Sequence, residues 1–562
     1  MQPLHTHPTI SIASRSGRDA HAQARRTALQ TISISKTFLT LAAIAALSAL
    51  ALPRPVAAQS AYSVTDLGTL GGPASSARGI NDAGIIVGEA DYTDGHSHAF
   101  QWQAGVMTDL TTFGNLTSIA TGINALGDIV GWTSADSDVF FGGTAFVLYH
   151  TGSNKFFTGS GTNTGANRID YYGQVSGNTG FSMLQDNYAF TWYNGTKTYL
   201  PTLGSYCAAE DITDNVVAGK ATLSSGDEHP VYWDEFGIHD LGTFGGQSGE
   251  VTRIFDSAGR EFVGYAQTAS GDNHAFWADP YGMSDLGTLG GNGSFAYGIV
   301  WGDSVNIVGS AALSDGTYSA FLYQFFNGEM FDLNAFIPSG SGWRLQNAWD
   351  GNGYGQIVGD GTIGGATHAF LLTPNVKVTS ITVSPKIVAG DLDATGKVTL
   401  NMPAPYDTPV GIEGSEGIAY PSSCVVPAGL TSQEFIVNTA AVTSSKTFTL
   451  TAYLFASSTS TTMTVRPIGV HSVTLKPSTV IGGGSTTGKV TLESPAAPGP
   501  ITVTFSSSDP AVAPTPASIT VPYGSPSGAF PVHTNAVAAT TKVTITATAN
   551  GISKSVKLTV NP

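Results

Sequence analysis

Charge is scarce in this chain. Only 11% of its 562 residues are Asp, Glu, Lys or Arg, under half the share of roughly 25% usual in soluble domains. Long solvent-facing helices draw on Glu and Lys, so they are excluded as the dominant element. Cations are the scarcer sign: 24 Lys and Arg stand against 40 Asp and Glu, for a formal net charge of −16. Such a surface repels a phosphate backbone, which argues against nucleic acid as a partner. Cysteine is nearly absent as well. Cys207 and Cys424 are the only two, and they fall in different expected domains. No disulfide can then staple a single domain, packing must supply the stability, and two buried free thiols are expected. Long apolar runs are missing beyond residue 52, so no later segment is expected to span a bilayer. Glycine, by contrast, is abundant at 68 residues, with aromatics at 10% and hydrophobic residues at 41%. Short strands, tight turns and sizeable cores follow from that mixture, and wholesale disorder does not.

The N-terminus has the layout of an export signal over residues 1–58. Arg15, Arg18, Arg25, Arg26 and Lys36 form a basic region, residues 38–52 an apolar run, and Val56, Ala57 and Ala58 a small-residue site before Gln59. The apolar run is shorter than the roughly 20 residues of a spanning helix. Arg25-Arg26 is not followed by the residues of a twin-arginine signal. The expected product is secreted, extracellular or held at the cell surface, with no transmembrane anchor once the signal is removed.

Internal repetition organises the next three hundred residues. Ser284-Asp285-Leu286-Gly287-Thr288-Leu289-Gly290-Gly291 recurs at Thr65–Gly72 and His239–Gly246, with weaker copies at Asp109-Leu110, Pro201–Gly204 and Asp332-Leu333. A second element, Gly79-Ile80-Asn81-Asp82-Ala83-Gly84-Ile85-Ile86-Val87-Gly88, returns at Gly122–Gly131. Its closing glycine appears seven times, as Gly88, Gly131, Gly177, Gly219, Gly264, Gly309 and Gly359, at intervals of 42 to 50 residues. A third element is an apolar pair at Phe100, Phe146, Phe190, Phe276, Phe321 and Phe370, each preceded by Ala, with Pro230-Val231 as the variant. Each unit resolves into four short strands. The Asn81/Gly84 turn, in which an Asx side chain bonds the backbone two residues on, is expected again at Asp170/Gly173, Asp256/Gly259 and Asp350/Gly353. Four strands per unit, a period near 45 and seven units match a β-propeller, with Phe100, Phe146, Phe190, Val231, Phe276, Phe321 and Phe370 packed between blades.

The Asp-Leu-Gly-Thr-Leu-Gly-Gly, Gly-Ile-Asn-x-x-Gly and His98-Ala99-Phe100, His274-Ala275-Phe276 and His368-Ala369-Phe370 elements resemble the HAF-repeat family of extracellular bacterial proteins over residues 62–374. The third and fourth units depart most, with Tyr188-Ala189-Phe190 and His229-Pro230-Val231. The resemblance implies an exported repeat protein and brings no catalytic residues with it.

From residue 376 glycine doublets give way to Thr, Ser, Val and Pro. Ser380–Pro385, Gly396–Leu400 and Met463–Pro467 are echoed by Ser472–Pro477, Gly488–Leu492 and Leu558–Pro562. Two immunoglobulin-like β-sandwiches are expected at 376–467 and 469–562, without the Cys pair of antibody domains. They resemble the spacer and adhesive modules of bacterial surface proteins. The whole chain is thus expected to be all-β: a seven-bladed β-propeller over 60–374 followed by two immunoglobulin-like β-sandwiches. Proteolytic nicks are expected at the linkers, 374–378 and 468–470.

Candidate chemistry is sparse. His98, His229, His274 and His368 share one slot, filled elsewhere by Thr144, Tyr188 and Ser319. Side chains repeated around a ring radiate and cannot meet at one metal, so a half-buried strand-edge role is expected. Asp66, Asp109, Asp240, Asp285 and Asp332 are expected to accept backbone N–H groups at strand ends. Asp91, Asp94, Asp136 and Asp138 offer too few oxygens for calcium. No nucleophile elbow, His-Glu-x-x-His helix or phosphate loop occurs. A copper-radical oxidase would use Cys207, but no convergent His/Tyr set accompanies it. No cofactor, metal or catalytic residue is assigned. Trp343, Trp349, Tyr171, Tyr172 and Tyr206 break the repeat; they form either a sugar-stacking rim or hydrophobic plugs between imperfect units. The expected function is a non-catalytic binding or adhesion scaffold for an extracellular glycan, matrix component or surface protein, the alternative being a polysaccharide hydrolase or lyase. Channel-facing carboxylates placed for acid–base work would favour the enzyme.

Overall fold

The computed structural model describes residues 60–562 apart from 111–116, 135–142, 158–163, 181–187, 257–259 and 302–304. The expected export signal at 1–58, and Asp136 and Asp138, lie outside the described residues. Gln59–Pro562 form one compact unit.

Every repeat contributes antiparallel strands, but the sequence unit is out of phase with the sheet by one strand. Gly282–Asp285, which opens a sequence unit, pairs backwards onto Asn273–Asp279. The first such strand, Tyr62–Asp66, has no earlier partner and pairs with Ala366–Pro374 at the end of the seventh repeat. The seventh repeat also touches the first directly: Asn352 Nδ2 donates to Asn81 O at 3.1 Å and Ser76 Oγ to Asp360 Oδ2 at 2.7 Å.

The seven-bladed propeller is corrected by the sheet count. Among the described residues the repeats make six sheets, not seven: five of four strands and one of eight. The eight-stranded sheet merges the fourth and fifth repeats through the parallel pair Glu228↔Ser248. Two residues set this junction apart. At three other junctions a Ser hydroxyl accepts the N–H of the neighbouring repeat's Ala: Ser118 from Ala99 (2.9 Å), Ser294 from Ala275 (2.8 Å) and Ser75 from Ala369 (2.8 Å). Between the third and fourth repeats Cys207 fills that slot and accepts the Ala189 N–H. Between the fourth and fifth, the donor is Pro230, which has no N–H, and the acceptor is Gly249, which has no hydroxyl. A Cβ on Gly249 would lie 2.8 Å from Pro230 Cδ. The strands close directly upon one another there.

Phe100, Phe146, Phe190, Val231, Phe276, Phe321 and Phe370 are all fully buried. The closing glycines lie beside them. A Cβ on Gly131 would overlap Ile119 O and come within 2.7 Å of the Phe146 ring. The Asx turns form at Asn81, Asn124 and Asp170, whose side chains accept N–H bonds from Ala83, Leu126 and Tyr172 at 3.1, 3.0 and 2.9 Å. In the seventh repeat the turn is built on Asn352 and Gly355, not on Asp350 and Gly353: Asn352 Oδ1 accepts from Tyr354 N at 3.1 Å. Of the expected turn at Asp256/Gly259, Asp256 ends the strand Gly245–Asp256 and 257–259 are not described.

The C-terminal third is a pair of two-layer β-sandwiches. Val378–Ser384, Ala394–Leu400, Ser432–Thr439 and Ile418–Ala419 make one sheet of the first sandwich. Ile387–Ala389, Ser457–Arg466, Lys446–Leu454, Thr408–Gly414 and Ser423–Val426 make the other. Alternate residues of both sheets, such as Val398, Val410, Val437 and Leu450, meet in one core. The second sandwich repeats the plan around Val490, Val503, Val532 and Leu558. Cys207 and Cys424 are free and buried.

The linkers are tied down, contrary to the expected proteolytic sites. Val376 and Val378 are buried, and Asn401 grips the first linker by accepting Lys377 N at 2.7 Å and donating to Asn375 O at 2.9 Å. Glu493 holds the same place in the second sandwich. It takes both Arg466 nitrogens at 2.7 Å and Gly469 N at 2.9 Å.

Candidate ligand-binding site

The first strand of every repeat carries a β-bulge at one fixed place. The register shifts between Ala77/Gly79, Ala120/Gly122, Ala166/Arg168, Ala209/Asp211, Val251/Arg253, Ala296/Gly298 and Ala348/Asp350. A bulge leaves one residue unpaired and re-aims its side chain. The re-aimed residues are Arg78, Thr121, Asn167, Glu210, Thr252, Tyr297 and Trp349. Three of them stitch neighbouring repeats together: Thr121 Oγ1 donates to Ala166 O (2.6 Å), Asn167 Nδ2 to Ala209 O (2.8 Å) and Thr252 Oγ1 to Ala296 O (2.7 Å).

The residue following each bulge is Gly79, Gly122, Arg168, Asp211, Arg253, Gly298 or Asp350. These positions do meet, which corrects the expectation that equivalent side chains radiate apart. Arg253 Nη2 lies 3.9 Å from Asp350 Oδ2, and Arg168 Nη2 reaches Arg78 O at 3.5 Å. Asp211 Oδ2 accepts Ile254 N at 2.8 Å. Glycine at the remaining places leaves room: a Cβ on Gly122 would come within 3.2 Å of Arg168 Cδ. Burial pushes the Asp211 and Asp350 carboxyls up to about 6, against the pull of the Arg168 charge. Two arginines and two aspartates thus fill this level with opposite charges.

One step nearer the strand starts lie the bulge residues themselves and the residue after each closing glycine: Glu89, Trp132, Asn178, Lys220, Tyr265, Ser310 and Asp360. One wall comes from the third to fifth repeats. Asn167 and Asn178 donate to Glu210 at 3.3 and 3.5 Å, and Glu210 shares a hydrogen bond with Glu250. Tyr265 OH donates to Glu250 at 2.5 Å. Lys220 Nζ sits 3.6 Å from Glu250 and 3.3 Å from Glu228, which also accepts Tyr206 OH at 2.5 Å. Burial, then the Glu250 charge, push Glu210 up to about 8 despite Lys220. Burial works against the Lys220 ammonium, yet Glu250, Tyr206, Glu228 and Glu210 outweigh it and hold its pKa above the ordinary lysine value.

The other wall comes from the sixth, seventh and first repeats. Trp349 lies between the Tyr297 ring, stacked at 4.3 Å, and the Arg78 guanidinium at 4.4 Å. Its Nε1 donates to Asp360 at 2.5 Å, and Arg78 pairs with Glu89 at 2.6 Å. Tyr265 packs edge-on against Phe295 at 4.9 Å and so joins the walls.

The five aromatics expected at the site divide. Trp349 and Tyr206 belong to these walls. Trp343 packs edge-on against the Phe370 ring at 6.1 Å, within a buried cluster. Tyr171 and Tyr172 are exposed on the Asp170 turn, their rings 5.5 Å apart. The histidines are occupied within their own sheets. His98, His229, His274 and His368 Nδ1 lie 2.9, 2.8, 2.7 and 2.9 Å from Asp109, Asp240, Asp285 and Asp66. Asp66, Asp240 and Asp285 also accept Gly68, Gly242 and Gly287 N–H groups. The recurrent His and Asp thus brace one another at a strand edge. Sequence reasoning passed over Arg78, Glu89, Lys220, Glu210, Glu250, Tyr265, Tyr297 and Asp360. The signal was present: the residue after an invariant glycine differs in all seven repeats.

No family model matches the chain, and no curated protein matches it. Among solved structures it is similar to the D0-D1 domain of Intimin, at 13% identity, covering 33% of this chain and 99% of that one, with a TM-score of 0.15. It is also similar to the Yersinia pseudotuberculosis adhesin InvE, at 14% identity over 33% of this chain and 60% of that one, TM-score 0.17. Escherichia coli alpha-2-macroglobulin activated by porcine elastase shares 9% identity over 90% of this chain and 52% of that one, TM-score 0.15. Likeness at this level says nothing of activity. Among the described residues no helix is long and apolar enough to cross a membrane, and no three His, Cys, Asp or Glu gather as metal ligands.

Proposed function

We propose that this is an exported, non-catalytic binding scaffold of the HAF-repeat type, acting outside the cell or at its surface. The repeat region carries a ligand site in its interior, and the tandem sandwiches carry the repeat region. One observation bears most of the weight. A fixed glycine holds the strand in place seven times, and the side chain directly after it is Glu, Trp, Asn, Lys, Tyr, Ser and Asp in turn. Framework positions repeat because packing demands it, and a position that varies at every copy is free to serve recognition. Ligand classes in keeping with this are an extracellular glycan, a matrix component or a surface protein.

The polysaccharide hydrolase or lyase is the weaker reading. Acid–base pairs in glycosidases stand roughly 5 to 9.5 Å apart, whereas Glu210 and Glu250 are in hydrogen-bond contact. The test is a screen of the whole chain against glycan and matrix-protein arrays beside a polysaccharide-release assay. Saturable binding without product is expected; turnover of any polymer would overturn the scaffold reading.

A further inference from the structure

We propose that the interior site takes a neutral, hydroxyl-rich saccharide, seated against Tyr265, Lys220 and Glu250. The inference rests on the binding reading above and narrows it to one ligand chemistry. The cations of the walls are already matched. Arg78 is held by Glu89 at 2.6 Å, and Lys220 stands between Glu228 and Glu250 at 3.3 and 3.6 Å. A uronate, sulfate or phosphate entering here would meet Glu89, Glu228, Glu250 and Asp360 and displace a partner from each cation it paired with. A second protein as occupant is disfavoured because the recognition side chains are largely covered, those of Lys220 and Glu250 being 24% and 14% exposed.

What the walls offer is spare acceptors beside one cation: the Tyr206 and Tyr265 hydroxyls donate to Glu228 and Glu250 but can still accept, both carboxylates have further lone pairs, and the Lys220 ammonium has a third N–H beyond the two that face them. That mixture suits vicinal hydroxyls, each of which both donates and accepts. On this wall stacking surface comes from tyrosine. Trp349 is covered by Tyr297 on one side and Arg78 on the other, while Tyr318 beside Phe295 is 41% exposed. Beneath lie the Arg168, Asp211, Arg253 and Asp350 charges, which suit a neutral sugar poorly, so the saccharide approaches from the side of the strand starts.

The test is calorimetric titration of the whole chain with gluco-, manno-, galacto- and xylo-oligosaccharides, each set beside oligouronates of equal length. At least one neutral series is expected to bind, with uronates about tenfold weaker or worse, a difference of about 1.4 kcal/mol. Tyr265→Phe and Glu250→Gln, checked for an unchanged melting temperature, are expected to weaken the neutral ligand. Glu89→Gln, which frees Arg78, is expected to raise uronate affinity relative to neutral. Equal binding of uronates, or neutral binding indifferent to both Tyr265→Phe and Glu250→Gln, would overturn the inference. Binding to a surface protein with no saccharide bound would overturn it too and leave the scaffold standing; binding to neither class would defeat both.

Discussion

Gly309 shows how tightly the repeat constrains single residues. A Cβ there would overlap Phe295 O and approach the Phe321 ring to 2.7 Å. Gly309→Ala is expected to cost about 3 kcal/mol, at the upper end of overpacking, measured by denaturant unfolding. Ser310→Ala, one residue on, should cost far less, about 1 kcal/mol for its bond to Gln346 O. Glu210 makes a pH prediction. Its folded pKa, about 8, lies above the unfolded carboxyl value near 4.3, so the folded state binds more protons between the two. Stability from this group is therefore full below about pH 4 and falls as pH rises towards 8. Glu210→Gln removes that loss. Its melting temperature is expected to climb relative to the parent chain from pH 5 to pH 9, and a constant difference would contradict the assignment. At this scale the buried Phe100, Phe146 and Phe370 were legible because they recur. Glu210 was not, because it occurs once and only the bulge turns it inward, and Lys220 and Tyr265 were marked only by the variation of the residue after each closing glycine.

Between elements, a side-chain acceptor bridges several neighbouring sheets. Ser75, Ser118 and Ser294 hold an Ala N–H across the gap, and Cys207 does so by its thiol. Cys207→Ser should be nearly neutral, since a hydroxyl replaces the thiol as acceptor. Cys207→Val leaves the Ala189 N–H buried without a partner and should cost about 1–3 kcal/mol; thermal unfolding of the two variants checks the contrast. Restoring the usual pair with Pro230→Ala and Gly249→Ser is expected to break the Glu228↔Ser248 bridge and separate the eight-stranded sheet into two of four, visible in a crystal structure. Strand existence was plain from the repeat spacing, and the sixth repeat forms its strands at Gly290–Val300, Asn306–Leu313, Tyr318–Gln324 and Glu329–Asp332. The merged sheet was not foreseen: His229-Pro230-Val231 was noted as a variant, but its missing N–H matters only beside Gly249, nineteen residues away. The one-strand offset was equally hidden, because a periodic sequence does not announce where its sheet begins.

For the molecule as a whole, the linkers act as joints held shut. Asn401 and Glu493 occupy matching places and clamp the chain entering each sandwich. Tyr406 of the first sandwich meets Tyr62 of the repeat region, their hydroxyls 3.4 Å apart. Brief proteolysis of the intact chain is expected to spare 374–378 and 468–470, and Glu493→Ala to expose the second of these to cleavage. Composition foretold the change of texture at residue 376 but not the clamps, since Asn401 and Glu493 share a position without sharing a side chain. The central claim is that the side chains following the closing glycines recognise a ligand. The most direct measurement is binding of the triple variant Glu89→Ala, Lys220→Ala, Asp360→Ala on the arrays that capture the parent chain. With the fold retained by circular dichroism, at least a tenfold loss of binding, about 1.4 kcal/mol, is predicted. Capture at parental strength would contradict the account.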